Sequence, residues 1–529
     1  DKIYFDAYVQ KSTSAGERYP DVNNAISKRV KEGALILNYT GHANESALAK
    51  EKVLEISDID NWSNYDKLPI FVTATCEFSR FDGDEQSGGE HIYFNPNGGG
   101  IGLFSTTRVV WSDQNFDLNK QFYNNVFKQD ADGNNLRMGD VMKRSKNALS
   151  STSTNKRNFT LIADPALSLA FPKYKIVTET INGKSTGQLT DTIGSLSKVT
   201  ITGRVTDNQG ITLDNFNGDL VPIVYDKAHQ VETLGNAGEK PFDFSFQDNI
   251  IYQGVTTVTN GKFEFSFIVP KDISYAEGQG KIIYYANNGK VDAHGYFTNF
   301  QIGGAHGGSF NDNNGPQVNL YLNSSDFKSG DEVGKKSILI ADISDESGVN
   351  TAGVGIGHDI TAVIDDDYNN ILVLNDSYLS DKDSYKKGQV IFPINGLSAG
   401  EHTLKFKVWD VLNNSTEVEI HFVVSEKLEI SEVKCYPNPA NNYTNFVFKH
   451  NRPDDSFDTR VEIYDFSGNL VDVLKQRLGS NGAHSLPLLW KINDSQVLVR
   501  NGAYLYRVII DADDGYSASK TGKIIISRY

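Results

Sequence analysis

Two stretches decide the fold: GALILNYTGHANES at residues 33–46 and LPIFVTATCEFSRFD at residues 68–82. Each opens with a short apolar run rich in β-formers, Ala34–Leu37 in the first and Pro69–Ala74 in the second. Each run gives way at once to a polar loop, which predicts two strands buried on both faces, as in a parallel sheet. Ligands bind outside the carboxyl ends of such strands, and those loops carry His42 and Cys76. A cysteine after an apolar strand reads on its own as a small packed hydrophobe. An imidazole at a matching strand end changes that reading to a thiol nucleophile with a general base on the neighbouring loop.

Working outward, Val22, Ile26 and Val30 recur at helical spacing before Gly33, a C-cap candidate. Upstream, DKIYFDAYV predicts a strand. SDIDNWSNYDKLP (57–69) reads as a polar connection with room for a short helix, and a further helix is expected to start near Ser87. GIGLFSTTRVVW (100–111) predicts a third buried strand, LNKQFYNNVF and MGDVMKRSKNAL two helices, and FTLIADPALSLAFP (159–172) a strand, a turn and a last strand. The alternation implies an α/β domain over 1–172 with a largely parallel, covered sheet.

The chain has 529 residues, too many for one core. Its 51 basic and 67 acidic residues give a formal charge of −16 with no long basic run, which argues against nucleic acid as a partner. Two cysteines, Cys76 and Cys435, provide no disulfide framework. No apolar run approaches the roughly 20 residues of a membrane-spanning helix, and the chain does not open on a signal peptide. Because KIYFDAY is already strand-like, the sequence is expected to begin inside a domain.

From Lys173 the pattern changes to apolar–polar alternation broken by NG and DN turns, which predicts antiparallel sheets with one wet face. A β-sandwich is expected over 173–310, ending in the linker-like IGGAHGGSFNDNNGP around His306. A second β domain is expected over 316–425, where GLSAGEHTLKFKVWD is similar to a strand pair of immunoglobulin-like modules. Asp365–Asp367 and ISDESG (343–348) offer the hard oxygens that suit Ca²⁺, but lack the spacing of a calcium loop and read as solvated turns. The other histidines have no ligand spacing, so no metal site and no cofactor is expected. Residues 426–529 again alternate, with a Pro-Asn entry turn beside Cys435 and an SGN hairpin turn.

NYTGHANE and TATCEFSRFD, with the closing LIADPALSLAFP, resemble the gingipain-type cysteine peptidases of caspase-like fold, in particular the PorU-type sortases of the type IX secretion system. CYPNPANNYTNFVF, VEIYDFSGNLV and NGAYLYRVII resemble the C-terminal domain that directs proteins through that system. The resemblance implies a multidomain chain: a caspase-like α/β peptidase domain truncated at its start, immunoglobulin-like β-sandwich domains, and a C-terminal secretion-type sandwich. It implies catalysis by His42 and Cys76, with the backbone N–H groups of Gly41 and Cys76 as oxyanion hole. The family's third catalytic acid would precede Asp1, with Asp6 as the alternative within the chain. Glu77 and Arg80 flank the nucleophile as possible substrate contacts or plain surface charge; His91 reads as a local hydrogen-bond partner or a substrate contact.

The implied role is a surface sortase, at the outer membrane of a Bacteroidota-like bacterium. It would cleave C-terminal signal domains from exported cargo proteins and pass the cargo to an amine acceptor such as anionic lipopolysaccharide, alongside an outer-membrane partner of the secretion system. The alternatives are a secreted gingipain-like protease and a non-catalytic adhesin or scaffold. The chemistry needs these groups whatever the family: a free thiol with a pKa near ~8.5 is only slightly ionised at neutral pH. A neighbouring imidazole takes its proton and later protonates the leaving amine.

Overall fold

The computed structural model describes the chain except residues 1, 15, 132, 151, 189–191, 237, 306–311, 353–356, 426, 454, 482, 496–497, 514 and 528–529. Its contacts divide it into two compact units, Asp1–Pro172 with His229–Phe246, and Lys173–Ala228 with Gln247–Tyr529.

The first unit is built on a four-stranded sheet of β1 (Ile36–Thr40), β2 (Ile70–Ala74), β3 (Gly102–Thr106) and β4 (Phe159–Ile162), in that order. The first three run parallel, with Ile36 opposite Ile70 and Ile70 opposite Gly102, and β4 closes the edge antiparallel. All five residues of β2 and of β3 are buried, which is why neither strand carries a charged, solvent-facing side. Successive side chains alternate between faces. Phe71 and Leu103 join one core with Val22, Ile26 and Val30 of helix α1 (Pro20–Glu32). Ile70, Val72 and Phe104 join a second with Leu118 and Phe122 of α2 (Ser112–Val126) and Val141 of α3 (Met138–Asn147). The sheet is therefore a covered middle layer, and each fully buried large side chain in it stabilises by roughly 1.5–3 kcal/mol. Helix α1 starts with Pro20 at its first position and stops at Gly33, whose φ of 100° takes the chain out of the helix and into β1.

Two expectations fail here. Residues 2–9 form a 3₁₀ turn at Phe5–Ala7 rather than a strand. Their aromatic residues act as anchors, with Phe5 packed on Tyr19 and Tyr39, so the apolar alternation serves ring packing and not a ladder. The last strand over 166–172 is also absent. Leu167 N–H closes a turn onto the Asp164 carbonyl, and pairing is limited to the isolated bridge between Arg137 and Ser168.

The hairpin of β5 (His229–Glu232) and β6 (Asp243–Phe246) belongs to the first unit, although its sequence lies within the stretch read as sandwich. The second unit holds three hydrophobic cores. The first is centred on Ile201, Leu220, Phe265 and Ile282, the second on Leu339, Leu404 and Phe422, and the third on Phe446, Val461, Trp490 and Val508. Antiparallel pairing dominates their sheets, with alternating buried and exposed residues along strands such as Ser337–Ser344. The linker-like run starts as a strand, Gln301–Ala305, paired with Ile193–Ser195; His306 lies outside the described residues. Among the described residues no helix is long and apolar enough to cross a membrane.

Candidate functional site

The parallel register sets Thr40 of β1 opposite Ala74 of β2, so His42 and Cys76 each follow two residues beyond a paired position at the same sheet edge. The Gly41 N–H points to the Ala74 carbonyl at 3.5 Å, a long contact that joins the two loops where they leave the sheet.

The His42 loop is held by its backbone. The His42 carbonyl accepts the Tyr39 hydroxyl at 2.6 Å and the Ala49 N–H at 2.8 Å. Tyr39 is buried, and burial raises its hydroxyl well above the ordinary tyrosine range, so it stays protonated and donates. Gly41 fits over this ring because it lacks a side chain: a Cβ there would lie 2.6 Å from the Tyr39 hydroxyl oxygen and 3.0 Å from Cζ. The His42 side chain is exposed on this fixed backbone.

The Cys76 loop is held from β3. Glu77 N–H reaches the Arg108 carbonyl at 3.4 Å, and Ser79 N–H the Thr106 carbonyl at 3.0 Å. Beneath the loop, the Thr73, Ser105 and Ser79 hydroxyls form a buried chain, and Thr106 Oγ1 donates to the Thr75 carbonyl. The half-buried Cys76 thiol faces the Val110 carbonyl at 3.8 Å. Glu77 follows it with φ 52°, the left-handed region that a non-glycine residue rarely adopts. Such strain collects at functional sites, where the surrounding contacts over-determine the turn. Phe78 packs under the next helix, Gly88–Phe94, whose Gly88 leaves room for it: a Cβ there would lie 2.5 Å from the ring.

Arg80 serves as a bridge. Its Nη1 donates to Glu45 of the His42 loop at 2.7 Å, and its Nε lies 3.6 Å from Asp82. Asp82 in turn receives both terminal nitrogens of Arg108, at 3.0 and 2.6 Å. The hydrogen bond with Glu45 raises Arg80, and that from Arg108 lowers Asp82, so these two stay charged. The sequence reading did not single out Tyr39, Glu45, Asp82, Arg108, Val110 or Trp111. Only Trp111 carried a visible signal, a large aromatic ending an apolar run that outlasts its strand. It is 68% exposed, and Asn155 clamps its backbone from both sides, donating to its carbonyl at 2.7 Å and accepting its N–H at 3.1 Å.

His91 pairs with Asp60 at 2.7 Å. Asp6, the in-chain alternative for an orienting acid, is spent on the β5–β6 hairpin, where it accepts the N–H groups of Gly235 and Asn236 at 2.8 Å each. Burial works to raise it, and the combined hydrogen bonds outweigh burial and hold it low. Both cysteines are free thiols. Of the Asp-rich segments, Asp365 is taken up by His402 and the Thr403 N–H, and Asp366 by Lys405. Asp345 lies instead with Asp312 and Asp410, their carboxylate oxygens within 4.8 Å of one another. Burial, then the neighbouring carboxylates, push Asp345 up to about 6, against hydrogen bonds from Ser347 and Gly348.

Residues 1–170 match the model of peptidase family C25, and residues 434–527 that of the secretion system C-terminal sorting domain. No curated protein sequence matches the chain. Among solved structures, dimeric latent PorU from Porphyromonas gingivalis is 31% identical over 82% of this chain and 41% of that one, with a TM-score of 0.34. The Arg-specific cysteine proteinase gingipain R is 13% identical over 53% and 55%, with a TM-score of 0.27. A complex of Porphyromonas gingivalis RgpB pro- and mature domains is 13% identical over 53% and 56%, with a TM-score of 0.26. The chain thus spans about two fifths of the PorU chain. Residues 1–170 are thus a domain of the gingipain-type C25 cysteine peptidases, and residues 434–527 a secretion-system sorting domain.

Proposed function

We propose that the chain is a cell-surface cysteine peptidase of the PorU type, a sortase that removes C-terminal signal domains from exported cargo through a thioester on Cys76. The observation that carries this is the register of β1 on β2, which sets the His42 and Cys76 loops side by side at the carboxyl edge of the sheet. In this reading His42 takes the Cys76 proton as the sulfur attacks the scissile carbonyl, and returns it to the departing amine as the C–N bond breaks. The backbone N–H of Cys76 receives the negative oxygen, joined by that of Gly41 as it leaves its long contact with the Ala74 carbonyl; each donor in such a hole is worth roughly 3–4 kcal/mol of barrier. Glu77 and Arg80 border the nucleophile, with Arg80 bracing the loops and Trp111 offering an apolar surface to cargo.

The thioester then passes its acyl group to an amine, or to water, and regenerates the thiol. An amine of anionic lipopolysaccharide is the proposed acceptor, at the outer surface of a Bacteroidota-type bacterium, beside an outer-membrane partner of the secretion system. The match of residues 434–527 to a secretion-system sorting domain supports this reading. Mass spectrometry of a cargo protein incubated with the full chain, with and without an added amine, tests it. A new C-terminus carrying the amine's mass is expected. A bare cut in both samples would replace the sortase with a hydrolase, and an intact cargo with Cys76→Ala indistinguishable from the parent would remove the peptidase.

A further inference from the structure

We propose that the base is positioned by a relay that begins outside the peptidase sequence, running from the β5–β6 hairpin through Asp6, Phe5 and Tyr39 to His42. The inference rests on the His42–Cys76 reading above and extends it to groups that touch neither substrate nor thiol.

Each link is a direct contact within the first unit. The hairpin turn is tied to the N-terminal segment by four hydrogen bonds. Asp6 accepts Gly235 N–H and Asn236 N–H at 2.8 Å each, its carbonyl accepts Leu234 N–H at 2.7 Å, and the Tyr8 carbonyl accepts Asn236 Nδ2 at 2.9 Å. Lys2 Nζ adds a longer contact to the Ser245 carbonyl at 3.4 Å, and Tyr4 sits edge-on to Phe244 with ring centroids 4.8 Å apart.

Fixing residues 4 to 8 in this way fixes Phe5. Its ring lies 6.2 Å from that of Tyr39 at an interplanar angle of 25°, and 6.0 Å from Tyr19. Tyr39 is thus wedged between Phe5 and the Gly41–His42 backbone, and its hydroxyl ends on the His42 carbonyl. The 3₁₀ turn at Phe5–Ala7 has no place in a sheet and buries no residue fully, so its packing on Tyr39 is what gives the segment a purpose. A side chain exposed to water, as His42 is, cannot be oriented by packing of its own ring. Its direction has to be set through its backbone, and the side-chain donor on that backbone among the described residues is Tyr39.

Tyr39, Phe5 and Asp6 are therefore positioning residues. Their removal should lower the reactivity of Cys76 without touching it. The test uses the full chain and iodoacetamide, a neutral probe that needs no peptide recognition, with labelling of Cys76 and Cys435 followed on separate peptides. Cys435 is a half-buried thiol packed against another hydrophobic core and serves as the internal reference. His42→Ala should slow Cys76 labelling about tenfold or more. Tyr39→Phe, which keeps the ring and loses only the hydroxyl, should slow it about three- to tenfold. Asp6→Ala should do the same, and Asp6→Asn, which retains one acceptor oxygen, should recover part of the rate. The Cys435 rate should stay unchanged in all four.

If Tyr39→Phe and Asp6→Ala label Cys76 at the parental rate while His42→Ala is slow, the relay is wrong and the dyad stands. Parental labelling of Cys76 in His42→Ala would overturn the dyad itself, and the relay with it. A parallel rise of the Cys435 rate in Tyr39→Phe would show general loosening instead of positioning and would also overturn the proposal.

Discussion

His450 makes the sorting domain acid-sensitive, and the size of the effect follows from its surroundings. It ends the strand Tyr443–His450, is 2% exposed, and packs edge-on against Phe457 with ring centroids 4.7 Å apart. The Arg452 N–H donates to Nδ1 at 3.3 Å, which leaves the proton of the neutral ring on Nε2, an atom with no hydrogen-bond partner. Burial, assisted by the nearby His484, lowers the ring from 6.5 to about 4. A depressed folded value means the unfolded chain binds the proton first, so this stability is complete above pH 6.5 and is lost as the pH falls toward 4. The loss is about 2 kcal/mol at pH 5 and about 3 kcal/mol at pH 4. His450→Phe should remove that slope, at a cost of about 1 kcal/mol at neutral pH for the lost acceptor of Arg452. Hydrogen exchange of the full chain, read by mass spectrometry on peptides spanning 443–463, measures it. Between pH 7 and pH 5 the parent should lose about twentyfold more protection there than the variant, after correction for intrinsic exchange. Equal losses in the two proteins would refute the reasoning, because every other titrating group is common to both.

Gly41→Ala should destabilise the first unit by about 1–3 kcal/mol, since its Cβ would overlap the Tyr39 hydroxyl. Urea denaturation gives the size, and unchanged cargo cleavage would contradict the tight fit. Asp345→Asn should stabilise the chain above pH 6 and make no difference near pH 4. The raised folded value means that the native carboxyl holds a proton the unfolded one has released, a penalty that grows with pH to about 3 kcal/mol by pH 8. Denaturation at pH 4 and pH 8 reads both limits. Trp111→Ala should leave stability within about 0.5 kcal/mol, as expected of an exposed side chain, and raise KM for cargo. A fall in kcat at constant KM would instead place the ring in the chemistry.

The centre of the first unit was legible because its strands are buried on both faces. In β2, Ile70, Phe71, Val72, Thr73 and Ala74 have no polar side to mask the run, and Val22, Ile26 and Val30 mark their helix as plainly. Elsewhere the same pattern had two meanings. KIYFDAYV alternates like a strand, yet its rings are spaced to grip Tyr19, Tyr39 and Phe244. HQVE and DFSF at 229–246 look like any other antiparallel pair, and only three-dimensional contacts assign them to the first unit. Tyr39 read as an ordinary strand aromatic, because a hydroxyl aimed at a backbone carbonyl leaves no trace in composition. The meeting of Asp312, Asp345 and Asp410 was invisible for a related reason: one turn of the acidic pattern is local, and its partners lie far along the chain.

The hairpin at 229–246 also fixes an order of assembly. A chain growing from its amino end has made the whole sheet of the first unit by Ile162, but it lacks β5 and β6 until Phe246 has been synthesised. In between it must produce Lys173–Ala228, whose strand Gly218–Tyr225 waits in turn for its partner Lys281–Asn287. The peptidase unit is therefore finished late, interleaved with the unit that follows it. A chain ending at Pro172 would be missing part of its own first unit, even though the family match ends at residue 170.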